Sequence, residues 1–326
     1  YNERATLQVF HQRLTQMAER DSSASYEFLY VNDGSGDDTG DLLNTLADED
    51  GRVKVIHLAR NCGHQTALTA GMDFASGDYI VTLDADLQDP PEIIPELLCH
   101  LNKGYDLVHT QRLSREGESF FKRGSAWLFY QFLGYFTKTP LIANSGDFRA
   151  FTRPVLLVIR RFREPHRYLR GLFPLLGFRQ TIVPYHREKR HAGDTKFTLP
   201  RMTALALNGI LSSSTALLKA VLWIALLLWM TSLGFLIKAC LGHFVFHHTV
   251  PGWTSLVVLL TFFTGLNLFS LSIIGMYVSR IFEQGQQRPL YWCSDLRNVN
   301  TSYLAEDPSV PHEVILSLQL HRSVKS

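Results

Sequence analysis

Apolar residues recur at two spacings along the first half of the chain, and the two alternate. Leu7, Phe10, Leu14 and Met17 fall at helical spacing within residues 3–20. Residues 26–31 and 53–58 are compact apolar runs bounded by turn residues and read as strands. Between them Asp37, Asp38 and Thr39 open a helix to about residue 46, as acidic and hydroxyl residues do at an N-terminus. Residues 66–75 read as a small-residue helix, and Gly77-Asp78 turns into an apolar strand at 79–83, expected to be buried on both faces. A helix to about residue 102 and a strand near Leu107-Val108 continue the rhythm. This alternation predicts an α/β fold with a mostly parallel sheet wrapped by helices. Farther on, 145–151 reads as a compact polar loop, 178–185 as a strand and 187–196 as a basic loop.

The final third changes character. Residues 214–241 and 253–279 are nearly free of charge, and each exceeds the roughly 20 residues that cross a hydrocarbon core. The link between them holds no Lys or Arg, whereas Arg187, Lys189, Arg190, Lys196, Arg201, Arg280 and Arg288 flank the other side. The positive-inside rule then predicts a two-helix transmembrane hairpin with both chain ends in the cytoplasm. The expected organisation is a cytoplasmic domain over 1–198, an interfacial helix at 199–213, the two spans, and a polar cytoplasmic tail at 280–326 that is partly ordered at best. The aromatic stretch 118–137, which carries Lys122 and Arg123, reads either as a core helix or as a helix lying on a membrane. The chain opens on Tyr1-Asn2-Glu3 without a methionine, and is read as lacking its first residues.

Composition narrows the function classes. A length of 326 residues allows one large domain and an appendage, and a net charge of +2 implies no nucleic-acid partner. Four cysteines stand far apart with no Cys-x-x-Cys pair, which suits reduced thiols and neither a disulfide framework nor a zinc site.

Candidate chemistry concentrates where the strand at 79–83 ends. Asp84, Asp86, Gln88 and Asp89 follow in quick succession, and Pro90-Pro91 forbids the strand from continuing. Open α/β sheets place ligands at such carboxyl ends. Two carboxylates one residue apart repel unless a cation lies between them, and oxygen donors of this kind suit a Mg²⁺ or Mn²⁺ that also holds substrate phosphates. A solvated acidic turn is the competing reading, and Asp89 reads as a cap of the turn into the prolines.

Several stretches together resemble the family-2 glycosyltransferases. They are Tyr1-Asn2-Glu3, Val31-Asn32-Asp33-Gly34-Ser35-Gly36-Asp37-Asp38-Thr39, Arg60-Asn61-Cys62-Gly63-His64-Gln65 and Asp84-Ala85-Asp86-Leu87-Gln88-Asp89-Pro90-Pro91, in that order. Gly117-Glu118-Ser119-Phe120-Phe121-Lys122, Ser145-Gly146-Asp147-Phe148-Arg149 and the paired apolar stretches narrow the likeness to the polyprenyl-phosphate branch. There they resemble bactoprenol glucosyltransferases and their aminoarabinose-transferring relatives, with dolichol-phosphate mannosyltransferases as more distant cousins. The likeness runs to about residue 298. Departures are small: Cys62 stands where the family often has Phe, and Asp194-Thr195-Lys196-Phe197 where it often has Glu-Ser-Lys-Tyr. The strand that normally precedes Tyr-Asn-Glu is absent from this sequence.

The resemblance implies a GT-A-type nucleotide-binding domain. It implies transfer of one sugar, with UDP-glucose the best guess for the donor, to a polyprenyl (undecaprenyl) monophosphate at the cytoplasmic face of a membrane, in bacteria the inner one. Asn2, Glu3 and Asp33 match the nucleotide pocket, with Asp84 on the donor side. Asp86 and Gln88 match the metal ligands, and Asp84, Asp86 and Asp147 the catalytic set. Arg187, Arg190 and Lys196 match a basic loop over the donor phosphates. Arg112, Arg123 and Ser125 match the grip on the acceptor phosphate. Asp147 matches a candidate general base, although a phosphate monoester, with a second pKa of roughly 6, needs little deprotonation, so Asp147 holding the sugar or an arginine stays open. A single displacement inverts the anomeric configuration. A processive polysaccharide synthase and a non-catalytic nucleotide-sugar-binding scaffold are the alternatives; the Gln-x-x-Arg-Trp motif usual in such synthases is absent. Two spans also suit packing into a homo-oligomer.

Overall fold

The computed structural model describes residues 1–113, 142, 145–165, 167–187 and 252–299, together with 223, 224, 227, 230, 231, 234, 310 and 314. The chain forms two compact units, one of Tyr1–Gly134, Lys138–Met202 and Arg288–Ser326, the other of Tyr135–Thr137 and Thr203–Gln287.

In the first unit the elements follow as α1 (Arg4–Arg20), β1 (Phe28–Asn32), α2 (Thr39–Glu49), β2 (Val53–Leu58), α3 (His64–Phe74), β3 (Tyr79–Thr82), α4 (Ile94–Asn102), β4 (Leu107–Arg112), β5 (Ser145–Thr152), α5 (Arg153–Ile159), α6 (Leu169–Leu175) and β6 (Gln180–Tyr185). The second unit contributes α7 (Trp253–Gly285), and β7 (Cys293–Arg297) returns to the first. The apolar stripe of α1 is buried as its spacing predicts. Strand side chains alternate between two cores. Val108, Phe148 and Ala150 pack with α1, α2 and α4, while Leu107 and Phe151 pack with α5 and α6 on the other face. Helices on both faces of strands make the α/β class observed here, and it fits a GT-A-type fold.

The expected mostly parallel sheet is corrected. The strands form two sheets, ordered β1-β2-β7 and β3-β5-β4-β6. The β1–β2 and β4–β6 pairs are parallel, but β2–β7, β3–β5 and β4–β5 are antiparallel. Two segments misread from sequence produce the difference. The supposed polar loop at 145–151 is β5, buried from Gly146 to Phe151; Asp147 and Arg149 interrupt its apolar pattern, yet they are charge partners inside the protein. The supposed loose tail supplies β7.

The expected two-face burial of β3 is also corrected: Ile80 is buried but Tyr79 is exposed. Among the described residues β3 pairs only with β5, and β1 only with β2. Both strands border a cavity of about 2280 Å³ that leads to Asp33, Asp84 and Asp86.

Within α7, Phe262–Gly285 has a mean hydropathy of 1.5 and is long and apolar enough to cross a membrane. Among the described residues it is the one such helix. The other half of the expected hairpin (214–241) lies outside them apart from isolated positions, as do the expected interfacial helix and the aromatic stretch 118–137.

Candidate active site

The loops after β1 and β3 meet the loop before α3 at one end of the cavity. Asp33 is buried, and its two carboxylate oxygens accept the Cys62 and Gly63 N–H groups at 2.7 and 3.0 Å. Gly34 makes this contact possible: at φ +62 it brings its Cα so near that an added Cβ would stand 2.5 Å from the Arg60 carbonyl carbon. Asn2 joins the same loop, its N–H donating to Ser35 Oγ and its side-chain oxygen accepting from Gly36 N, both at 3.0 Å. The Glu3 N–H donates to Thr39 Oγ1 at 3.1 Å. The Thr6 hydroxyl lies 3.1 Å from Glu3 Oε2 and 3.2 Å from Ala85 O, so it links the pocket wall to the acidic loop.

In that loop Leu87 takes φ +59 with its side chain buried in the core. The chain reverses there, and Asp86 Oδ1 accepts Gln88 N at 3.1 Å. Burial pushes the Asp84 carboxyl up; His64 opposes this, and the charges of Asp147, Asp89 and Asp86 add to it. Negative charge is therefore concentrated beside oxygen donors. This fits Mg²⁺ or Mn²⁺, which take one or two protein carboxylates and complete their shell with phosphate and water oxygens. Asp86 and Gln88, the residues expected to hold such an ion, line the cavity; among the described residues no group of three or more His, Cys, Asp or Glu side chains is set to hold a metal.

Asp147, almost fully buried on β5, faces a crowd of donors. Arg170 of α6 grips it with Nη2 at 2.7 Å and Nε at 3.1 Å from Oδ2. His64 Nε2 lies 3.0 Å and Gln65 Nε2 3.3 Å from the same oxygen. Behind it Arg149 is buried with its guanidinium 4.4 Å from the Phe173 ring centre and Nη2 bonded to Gly146 O at 2.8 Å. Burial opposes ionisation of Asp147, but the hydrogen bonds from His64 and Arg170 and the charges of Arg170 and Arg149 outweigh it, holding the carboxyl far below its usual range. His64 Nε2 is also 3.6 Å from Asp84 Oδ1, so it bridges the ends of β3 and β5.

A second cluster lies at the ends of β4 and β6, whose register puts Arg112 beside Tyr185. Arg112 Nε donates to the Tyr185 hydroxyl at 3.1 Å. Asp89 lies beneath both and beside Arg187. Gly146 leaves space for Arg112, since a Cβ there would meet Nη2 at 2.5 Å. Asp84, Asp86, Gln88, Arg112 and Arg187 all line the one cavity. Arg123, Ser125, Arg190 and Lys196 lie outside the described residues.

Sequence reasoning gave His64 and Gln65 no role beyond motif membership, and it missed Arg170 and Tyr185. Nothing near Arg170 in sequence marks it; it reaches Asp147 across 23 positions through the packing of α6 on β5. Tyr185 ends an ordinary apolar strand, and its hydroxyl was the one available signal.

An acidic loop thus shares a cavity with arginines on an α/β scaffold. The family model "Glycosyl transferase family 2" matches residues 1–159. The uncharacterized glycosyltransferase YkcC of Bacillus subtilis (strain 168) is 39% identical over 89% of this chain and 90% of its own length. The prophage bactoprenol glucosyl transferase homolog of Escherichia coli (strain K12) is 34% identical over 89% of this chain and 95% of its own. The bactoprenol glucosyl transferase of Shigella phage SfV is 34% identical over 89% and 94%. The chain belongs to the family-2 glycosyltransferases.

Proposed function

We propose that this glycosyltransferase moves one sugar, best matched by glucose from UDP-glucose, onto a polyprenyl monophosphate such as undecaprenyl phosphate at the cytoplasmic face of a bacterial inner membrane. The observation that carries this reading is the convergence of Asp84, Asp86 and Gln88 with Arg112 and Arg187 on one cavity, in a chain whose relatives include bactoprenol glucosyl transferases. The apolar helix Phe262–Gly285 supports membrane attachment.

The donor leaves as a nucleoside diphosphate, with charge growing on its oxygens. A divalent cation at this loop would supply the neutralising charge. Asp86 and Gln88 hold its position, Asp84 borders the donor sugar, and Asn2, Glu3 and Asp33 shape the nucleotide end. Arg187, with Arg190 and Lys196, serves the donor phosphates. Arg112, with Arg123 and Ser125, serves the acceptor. The acceptor phosphate is mostly dianionic at neutral pH, its second pKa being roughly 6. One of its oxygens bonds to the anomeric carbon as the bond to the diphosphate breaks, and the configuration inverts. No proton has to be removed, so positioning matters more than a base. Asp147, strongly favoured as a carboxylate and already bonded to Arg170 and His64, acts as a positioning residue for those two side chains.

Asp86→Ala should lower sugar transfer by at least about 100-fold, as should chelation of divalent cations in the unaltered enzyme, with membrane insertion unchanged. An active Asp86→Ala enzyme would place the cation elsewhere.

A further inference from the structure

Asp89 does not cap its own turn. Among the described residues its one hydrogen bond comes from the Tyr185 hydroxyl, at the end of β6. Its carboxylate is fully buried, with Arg187 Nε 3.4 Å from Oδ1 and Arg112 Nη2 3.7 Å from Oδ2. Asp89 Oδ2 and Arg187 Nε have no hydrogen-bond partner among the described residues. A buried carboxylate is costly unless paired, and here two guanidinium groups gather around one. Tyr185 touches both Asp89 and Arg112, which makes the cluster continuous.

The two guanidinium groups share the Asp89 carboxylate, and the charge of Asp86 also acts on Arg187. Burial, with the Arg112 charge next, pushes the Arg187 guanidinium down, while Asp89 and then Asp86 act against this. Two like charges held together beside an open cavity are arranged for an anion to enter, and phosphate oxygens match guanidinium donors in charge and geometry.

We infer that Asp89 is a positioning residue that locks Arg112 and Arg187 side by side as a single phosphate-binding pair. The ligand chemistry is a phosphate or diphosphate, and it can come from the donor or from the acceptor. This inference rests on the proposed function for the roles of the two arginines. It departs from that reading in making them one unit controlled by a third residue, not two separate sites.

Binding of inorganic pyrophosphate to the full-length protein in detergent, followed by titration calorimetry, tests the pairing without any acceptor lipid. Asp89→Asn should weaken binding about tenfold, and Arg187→Gln should do likewise. The double variant should bind about as weakly as either single one, because the two act as a unit. Unchanged pyrophosphate affinity in folded Asp89→Asn, or effects that multiply in the double variant, would overturn the inference. Should Asp89→Asn not fold, Tyr185→Phe is the substitute: a roughly threefold weakening supports the inference and unchanged affinity overturns it. Steady-state kinetics of Asp89→Asn separate the two sources. A KM that rises for the nucleotide sugar identifies the donor phosphates, and one that rises for the lipid phosphate identifies the acceptor; a fall in kcat with both KM values unchanged speaks against positioning. Pyrophosphate binding does not depend on which lipid is glycosylated, so failure of the proposed function would leave this test standing.

Discussion

His109 and Arg149 face each other across β4 and β5, and burial treats the two as rivals for charge. Arg149 keeps its proton because Asp147 lies beside it. His109, hydrogen-bonded to Gln180 Oε1 at 2.9 Å, is pushed down to about 4 by burial and then by the Arg149 charge. The folded protein therefore stays unprotonated at His109 between its ordinary value of 6.5 and about 4, while the unfolded chain binds a proton there. Unfolding takes up a proton in that window, so stability falls as pH falls. By pH 5 the loss from this residue is about 2 kcal/mol. Denaturation at pH 7 and pH 5 should show His109→Asn losing less stability across that interval than the unaltered protein; equal losses would contradict the assignment. At this scale Asp84 and Asp86 stand out in the sequence as carboxylates at the end of an apolar run, whereas Asp147, in a stretch read as a polar loop, was marked by the family resemblance alone. Arg170 and the work of Asp89 were not, since both depend on side chains meeting across strands that the sequence pattern cannot pair.

Among the elements, β7 changes the picture most. It follows the long apolar helix α7, yet it pairs antiparallel with β2, and Leu296 is buried with Ile56 and Leu58. Ala59 N donates to Trp292 O at 2.9 Å, and Asn298 Nδ2 reaches Val53 O at 3.0 Å. Tyr291, buried, donates its hydroxyl to Asp73 Oδ2 at 2.8 Å, an oxygen that also receives Arg163 Nη1 at 2.8 Å. Arg160 meanwhile satisfies the Met72, Asp73 and Ala75 carbonyls at the end of α3. The C-terminal segment thus fixes one end of the helix whose other end carries His64 and Gln65. Tyr291→Phe should destabilise the protein by about 1–3 kcal/mol, read as a lower denaturation midpoint, with sugar transfer by the folded fraction unchanged. An unchanged midpoint would show that this hydrogen bond does not hold the segment. In sequence the segment looked like a polar tail because Ser294, Asp295 and Arg297 mask a short strand on the edge of β2. β5 was hidden for the related reason that its charges pair internally. By contrast α1 and β2 were legible from uninterrupted apolar spacing, α2 from the acidic and hydroxyl residues that open it, and α3 from its run of small residues.

For the whole molecule, one unit carries the α/β architecture and the other the long apolar helix. The uneven charge along the chain marked out the apolar stretch at 253–279, which falls within the long helix Trp253–Gly285. What the sequence did not reveal is that, among the described residues, the strands form two sheets in which β1 pairs only with β2 and β3 only with β5, because strand order depends on contacts between distant segments. The cavity beside β1 and β3 is where acidic loop and arginines meet, so the central claim concerns what passes through it. Full-length protein in membranes, given labelled UDP-glucose, undecaprenyl phosphate and Mg²⁺, provides the most direct measurement. The expected product is a lipid carrying a single glucose, and its formation should stop when the cation is chelated. A long polymer would point to a processive synthase. No lipid product with UDP-glucose, UDP-linked aminoarabinose derivatives or GDP-mannose, from protein that still binds nucleotide, would contradict transfer to a polyprenyl phosphate altogether.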